Sequence, residues 1–297
     1  MKFKKIKKSI SLIGILSLAS LFIVWTVTGL LINEGIFAEA NNTATETYTI
    51  KISGSTTCLP VISECADEFM KKYTNFDIQV TGGGSSVGIT QVGEEVVDIG
   101  MSSRELKSSE LSQYNDLKPF SFASDGIAVI ISTSSNAPDD LTMEQLRGIY
   151  NGTYTNWNDV GGDSGTVVLM GRDSASGTRV SFEELTGLAK DSDYADYKSH
   201  IQEYNSNGGL HDAVKNNDNA IGYVGLGYID SDVKGIDING VEPTVSSVKA
   251  KTYPISRSLY LITNGKPNDE QLTFLNYIFG PDGQEIVLDE GFVSLYL

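Results

Sequence analysis

Three times along this chain a strand-like run gives way to a short loop of glycine and hydroxyl residues, and then to an amphipathic run at helical spacing. The alternating Tyr48-Thr49-Ile50-Lys51-Ile52-Ser53 leads into Gly54-Ser55-Thr56-Thr57. Val61, Ile62, Cys65, Phe69 and Met70 then recur at helical spacing, with Pro60 placed for a first turn. Asp77-Ile78-Gln79-Val80-Thr81 leads into Gly82-Gly83-Gly84-Ser85-Ser86-Val87-Gly88 and a short helix ending near Glu95. The third loop is Arg172-Asp173-Ser174-Ala175-Ser176-Gly177-Thr178-Arg179, which runs into Val180-Ser181-Phe182-Glu183-Glu184-Leu185. Such alternation predicts an α/β architecture with mainly parallel sheets. The same reading places strands at 48–53, 77–81, 97–100, 127–132, 166–170, 220–224 and 256–262. Helices are expected at 59–73, 87–95, 108–114, 142–149, 179–187, 208–215 and 268–279.

The loops share a chemistry. The guanidinium of Arg172 offers a planar fork of donors, and Ser55, Thr56, Thr57, Ser85, Ser176 and Thr178 offer hydroxyls. The first backbone N–H groups of a helix have no internal partner. Glycines let the backbone come close to a ligand and adopt positive φ. One Ser-Gly-Thr turn would be an ordinary helix cap; three such loops predict a convergent site for a tetrahedral oxyanion.

Charge narrows the partners. The chain holds 22 basic and 38 acidic residues, for a net charge of −16. Its first 40 residues carry five lysines and two glutamates, so the remainder has 17 basic and 36 acidic residues, a net −19. Nucleic acid and anionic membrane surfaces are poor partners for such a surface. An anion can still be held by local dipoles and one or two arginines, because screening limits surface charge to roughly 8–10 Å. Lys2, Lys4, Lys5, Lys7 and Lys8 precede an apolar run from Ile10 to about Ile32, and Ala38-Glu39-Ala40 follows. Residues 1–40 therefore read as a cleaved signal peptide or a retained membrane anchor, with 41–47 as a linker and everything after Ala40 extracytoplasmic. Cys58 and Cys65 lie seven residues apart at and within one expected helix, about 10 Å at its rise, too far for a disulfide. Two free, buried thiols are expected.

Enzymatic readings find little to work with. A serine nucleophile needs a base, and His200 and His211, the two histidines, read as surface residues. No histidine–carboxylate group has metal-ligand spacing, and the glycine loop lacks the Gly-Lys-Ser/Thr ending of a nucleotide P-loop. No catalysis, metal or cofactor is expected. A surface-display protein would account for the acidic surface but leave the three loops unexplained.

The ordered set Gly54-Ser55-Thr56-Thr57, Gly82-Gly83-Gly84-Ser85-Ser86, Val97-Asp98-Ile99-Gly100, Asp125-Gly126-Ile127-Ala128-Val129 and the Arg172–Arg179 octet resembles the phosphate-binding proteins that feed the phosphate ABC importer. So do Ala220-Ile221-Gly222-Tyr223-Val224, Tyr253-Pro254-Ile255-Ser256-Arg257 and Gly291-Phe292-Val293-Ser294-Leu295. The resemblance runs from about residue 48 to the C-terminus. It implies a two-lobed periplasmic-binding-protein-like fold of type II, each lobe a mainly parallel sheet flanked by helices, with two hinge crossings. Lobe I would be 48–125 and 254–297, lobe II 126–253. It also implies a monomer that captures inorganic phosphate and delivers it to a membrane permease. Sulfate, molybdate, tungstate or a phosphonate are the alternative ligands.

Carried over by position, the resemblance implies phosphate contacts from Thr56 and Thr57 with their neighbour Ser55, from Ser85, from Asp98 at the end of its strand, and from Arg172, Ser176, Gly177 and Thr178. Asp98 would accept the proton of a P–O–H group, and sulfate, with no proton to give, would be rejected. Two positions depart from the family pattern: Ala175, where many relatives have glycine, and Cys58, where a small or apolar residue is usual.

Overall fold

The computed structural model describes residues 46–296, so the expected signal or anchor segment lies outside the described residues. The strands are β1 Tyr48–Gly54, β2 Phe76–Gly82, β3 Ile99–Ser102, β4 Leu117–Ser132, β5 Asp140–Leu141, β6 Val168–Arg172, β7 Gln202–Tyr204, β8 Ala220–Gly225, β9 Val233–Gly235, β10 Asp237–Ile238 and β11 Ser256–Asn264. The helices are α1 Leu59–Lys72, α2 Ser85–Gly93, α3 Ser108–Gln113, α4 Met143–Tyr150, α5 Gly177–Thr186, α6 Ser192–Tyr197, α7 Asn207–Lys215, α8 Val245–Lys249, α9 Asp269–Phe279 and α10 Pro281–Asp289.

The main sheet runs β2-β1-β3-β11-β4-β8-β6-β7, with β9 on the edge of β4. Parallel pairs lie toward its two ends: β1 with β2 and β3, and β6 with β7 and β8. The middle is antiparallel, because β11 pairs with β3 and β4, and β4 with β8 and β9. The expected parallel character therefore holds toward the two ends of the sheet only, because the long strands β4 and β11 pair antiparallel with every neighbour they have.

β4 is the long element. Its first half, to Gly126, pairs with β11, and its second half, from Ile127, pairs with β8 and β9. The two large groups of buried apolar residues divide at the same place, beside a small third one of Ile89, Val92, Leu117 and Ile262. One cluster gathers Ile50, Phe69, Phe122, Leu259 and Phe292 with their neighbours, and a second gathers Ile127 to Ile131, Trp157, Phe182, Leu210 and Ile255. Two cores joined by a shared pair of strands are what a two-lobed molecule requires. Each buried side chain of this size contributes about 1.5–3 kcal/mol, so each lobe has its own source of stability.

Local sequence explains the helices that matter for the site. Helix α1 buries Val61, Ile62, Cys65, Ala66 and Phe69, one apolar stripe, and carries Lys71 and Lys72 in its last turn, where they complement the helix dipole. Helix α5 begins on Ser176, whose Oγ accepts the Arg179 N–H, and ends on Gly187 at φ 84°. Helix α7 begins the same way on Ser206. Both cysteines are free and buried, as their spacing implies, and the Cys58 Sγ packs against the Ser102 carbonyl. Trp157 is fully buried in the second core. The surface reading of the histidines holds for His200 only. His211 is 8% exposed on α7, with Nε2 3.1 Å from Asp230, because helical spacing turns it toward the protein.

Candidate anion-binding site

In parallel units the residues that follow the strands gather at their C-terminal ends, and here five such loops meet. After β1 come Ser55, Thr56 and Thr57; after β2, Ser85; after β3, Ser103; after β6, the Arg172–Thr178 segment; after β7, Asn205 to Asn207. Thr57, Ser85, Thr178, Asn207 and Arg172 are all 1% exposed or less. The Thr57 and Thr178 hydroxyls lie 3.0 Å apart, joining the loop after β1 to the first turn of α5. The Ser86 N–H donates to the Ala175 carbonyl at 3.1 Å, so Ala175 faces the start of α2.

Three serine hydroxyls are held in place by backbone donors. Ser55 Oγ accepts the Thr57 N–H at 3.2 Å, Ser85 Oγ the Ser103 N–H at 3.0 Å, and Ser176 Oγ the Arg179 N–H at 3.2 Å. A hydroxyl fixed as an acceptor still has its own O–H to donate. Gly177 marks how tightly the two lobes meet. A Cβ there would lie 2.1 Å from Ser85 Oγ and 2.8 Å from Ser103 Oγ, so α5 can reach α2 only with glycine at that position.

The site has more donors than it can use internally. Arg172 Nη2, the Asn207 N–H and Asn207 Nδ2 converge on Thr56 Oγ1 at 3.2, 3.4 and 3.1 Å. That is one donor more than a hydroxyl's two lone pairs can accept. Arg257 Nη2 and Asn207 Nδ2 lie 3.1 and 3.0 Å from Thr57 Oγ1. Arg172 Nη1 and Arg257 Nη1 are buried without a hydrogen-bond partner among the described residues.

Arg172 is the electrostatic centre. Arg104, Arg179 and Arg257 each have a carboxylate partner. Arg172 has none among the described residues; its donors go to the Tyr204 and Asn205 carbonyls and to Thr56. Burial pulls its guanidinium down to about 10. A buried, unpaired cation is costly, and an anion placed against it removes that cost. Nearby, Asp125 is fully buried, which pushes its carboxyl above the ordinary value against the pull of Arg257. Its Oδ2 accepts Arg257 Nε and Nη2 at 3.1 and 2.8 Å, and its Oδ1 accepts the Leu226 N–H at 3.0 Å. Asp125 thus aims Arg257 at Thr57. The Tyr228 hydroxyl donates to the Thr56 carbonyl at 2.6 Å and fixes the loop from the other side. Arg104, Ser181 and Arg257 also line a cavity of about 740 Å³ open to solvent beside the cluster.

Residues 39–282 match the model of the PBP superfamily domain. The phosphate-binding protein PstS of Borreliella burgdorferi is 32% identical over 253 residues, covering 83% of this chain and 90% of that protein. The chain belongs to the PstS family. PstS of Bacillus subtilis is 30% identical over 248 residues, 83% of this chain and 80% of that protein. A Clostridium perfringens protein solved with bound phosphate superposes with a TM-score of 0.78 at 34% identity, covering 83% of this chain and 99% of that one.

Within this PstS-family chain, eight of the nine residues expected at the site fall together: Ser55, Thr56, Thr57, Ser85, Arg172, Ser176, Gly177 and Thr178. Asp98 does not. Strand β3 starts at Ile99 and pairs Ile52 with Ile99 and Gly54 with Met101, so Asp98 precedes the strand instead of ending it. At about 3.3 Å per residue, Asp98 lies about 10 Å from the level of the Gly54 loop. Its Oδ2 accepts the Lys51 N–H at 2.7 Å, and it lines a groove with Tyr48, Asn268 and Gln271. Four residues went unread: Ser103, Asp125, Asn207 and Arg257. For Asn207 the signal was present, since Asn205-Ser206-Asn207-Gly208-Gly209 repeats the polar-and-glycine grammar before a helix.

Proposed function

We propose that this chain binds one inorganic phosphate ion in the buried cluster between its lobes and delivers it to the permease of an ABC importer. The observation that carries this reading is Arg172, a buried cation without a carboxylate, surrounded by hydroxyl and N–H donors from both lobes. The phosphate oxygens would take charge-assisted hydrogen bonds from Arg172 and Arg257. Further donors would be the hydroxyls of Ser55, Thr56, Thr57, Ser85, Ser176 and Thr178 and the backbone N–H of Gly177. Relatives named phosphate-binding protein PstS, and a neighbour solved with phosphate, support phosphate over the other oxyanions.

The lobes are read as 48–125 with 254–297, and 126–253, a division supported by the two apolar cores and by the change of partner along β4. Opening would be a hinge motion at the two crossings. The protein would act as a monomer outside the cytoplasmic membrane, held or exported by residues 1–40, and would do no chemistry on its ligand. No helix among the described residues is long and apolar enough to cross a membrane.

Competition tests the ligand. The purified full chain, stripped of bound ligand, is equilibrated with labelled phosphate and challenged with sulfate, molybdate and tungstate. Retention of phosphate against an excess of each supports the reading. Displacement by sulfate or molybdate at equal concentration would keep the binding class and overturn the ligand.

A further inference from the structure

The cavity of about 740 Å³ beside the cluster inverts the charge of the chain. Its charged lining is Arg104, Lys107, Lys251 and Arg257 against Glu105 and Glu184, two positive charges in excess, whereas residues 41–297 carry a net −19. The carboxylates that pair with the two arginines, Glu110 and Asp125, are not on the lining. The lysine ion pairs among the described residues belong to Lys71, Lys72, Lys215 and Lys234. Lys107 and Lys251 are exposed and have none among those residues. Lys251 also sits at φ 58° just after α8, in the left-handed region that ordinarily goes to glycine or asparagine at a helix end. A lysine kept there against backbone strain points to a use beyond the turn itself.

The cavity reaches the cluster through Arg257. That residue lines the cavity and also holds its Nη2 3.1 Å from Thr57 Oγ1. Its Nη1 and the Arg104 Nε have no hydrogen-bond partner among the described residues, so the wall between cavity and cluster has donors to spare.

We propose that this cavity is an electrostatic entrance, in which Lys107 and Lys251 speed the arrival of phosphate without helping to retain it. The inference rests on the phosphate reading above. Screening limits charge to about 8–10 Å at physiological salt. Two lysines on the rim therefore act on the approaching ion, while the more distant acidic surface is damped. The ion passes from exposed ammonium groups to the Arg257 guanidinium and then to the buried hydroxyls. Charges on a rim change association and its salt dependence, whereas groups buried against a ligand change dissociation. Arrival and retention thus belong to different residues.

The test separates the two rates in the ligand-stripped full chain. Dissociation is timed by chasing labelled phosphate with unlabelled phosphate, equilibrium dialysis gives the dissociation constant, and the quotient of the two is the association rate. Salt is set at about 0.01 M and about 1 M, where charges reach roughly 30 Å and 3 Å. The double variant Lys107→Glu with Lys251→Glu is compared with Lys118→Glu with Lys198→Glu, an equal change of net charge at exposed lysines off the cavity. At low salt the first pair should slow association by about tenfold or more and the second by less than about twofold. Dissociation should stay within about twofold of wild type, and the gap should close at high salt. Lys251→Gly should slow association while melting at or above the wild-type temperature, because glycine relieves the strained turn. Should the reversed pair not fold, Lys107→Gln with Lys251→Gly decides, with a loss of about threefold expected. Unchanged association, an equal loss in the control pair, or a change confined to dissociation overturns the proposal. Absence of phosphate binding by the wild type overturns the functional reading instead.

Discussion

At the scale of single residues, hydroxyls, a guanidinium and glycine carry their chemistry wherever they are put, and eight of nine expected contacts come together because their loops all leave strands in the same direction. Asp98 shows where that logic stops. Its contact was carried over by position from the resemblance, and the pairing of Ile52 with Ile99 and of Gly54 with Met101 sets Asp98 three residues before the level of the Gly54 loop, about 10 Å away at 3.3 Å per residue. Asp98→Asn is therefore expected to leave phosphate affinity within about twofold of wild type, since surface changes are within about ±0.5 kcal/mol. A competitive titration checks this, and a loss of phosphate preference over sulfate would return Asp98 to the site. Asp125 and Arg257 were not legible as site residues because each sits in an apolar or strand-like run, and only the crossing of β4 and β11 makes them neighbours.

At the scale of elements, the first turns of α5 and α2 touch closely, and this contact would be the closing device of the proposed hinge motion. Gly177→Ala would push a methyl group against Ser85 Oγ and Ser103 Oγ. Overpacking costs about 1–3 kcal/mol, so affinity should fall by roughly tenfold or more, measured by titration; wild-type affinity would mean the turns do not meet in the bound form. The segment before α3 is secured by Arg104 and Glu110, 2.6 Å apart. Burial alone would raise the Glu110 carboxyl, but Arg104 and the Lys107 N–H together bring it below its ordinary value of 4.5. A lowered carboxyl contributes stability above its unfolded value, and that contribution is lost as pH falls through the folded one. Glu110→Gln should melt below wild type at neutral pH, and the gap should close in acid; a gap constant with pH would contradict the pairing. Elements missed from sequence carry misleading signals. The first half of β4 contains Pro119, which cannot donate to a ladder. Helix α10 starts in Gly280-Pro281-Asp282-Gly283, which reads as a turn, although Pro281 suits a first helical position.

At the scale of the whole molecule, an acidic chain can hold an anion because the ligand would meet buried groups, not the surface charge. Two cores, two crossings and donors from both sides of the gap make a structure whose closure and binding would be one event. The role of Arg172 is tested most directly by calorimetric titration of phosphate into the ligand-stripped full chain and its Arg172→Ala variant side by side. Losing a buried charged partner costs about 2–5 kcal/mol, equivalent to roughly 30-fold or more in affinity. The wild type should saturate at one phosphate per chain, and the variant should lose at least that factor. Equal affinities, or no binding by the wild type, would contradict the account.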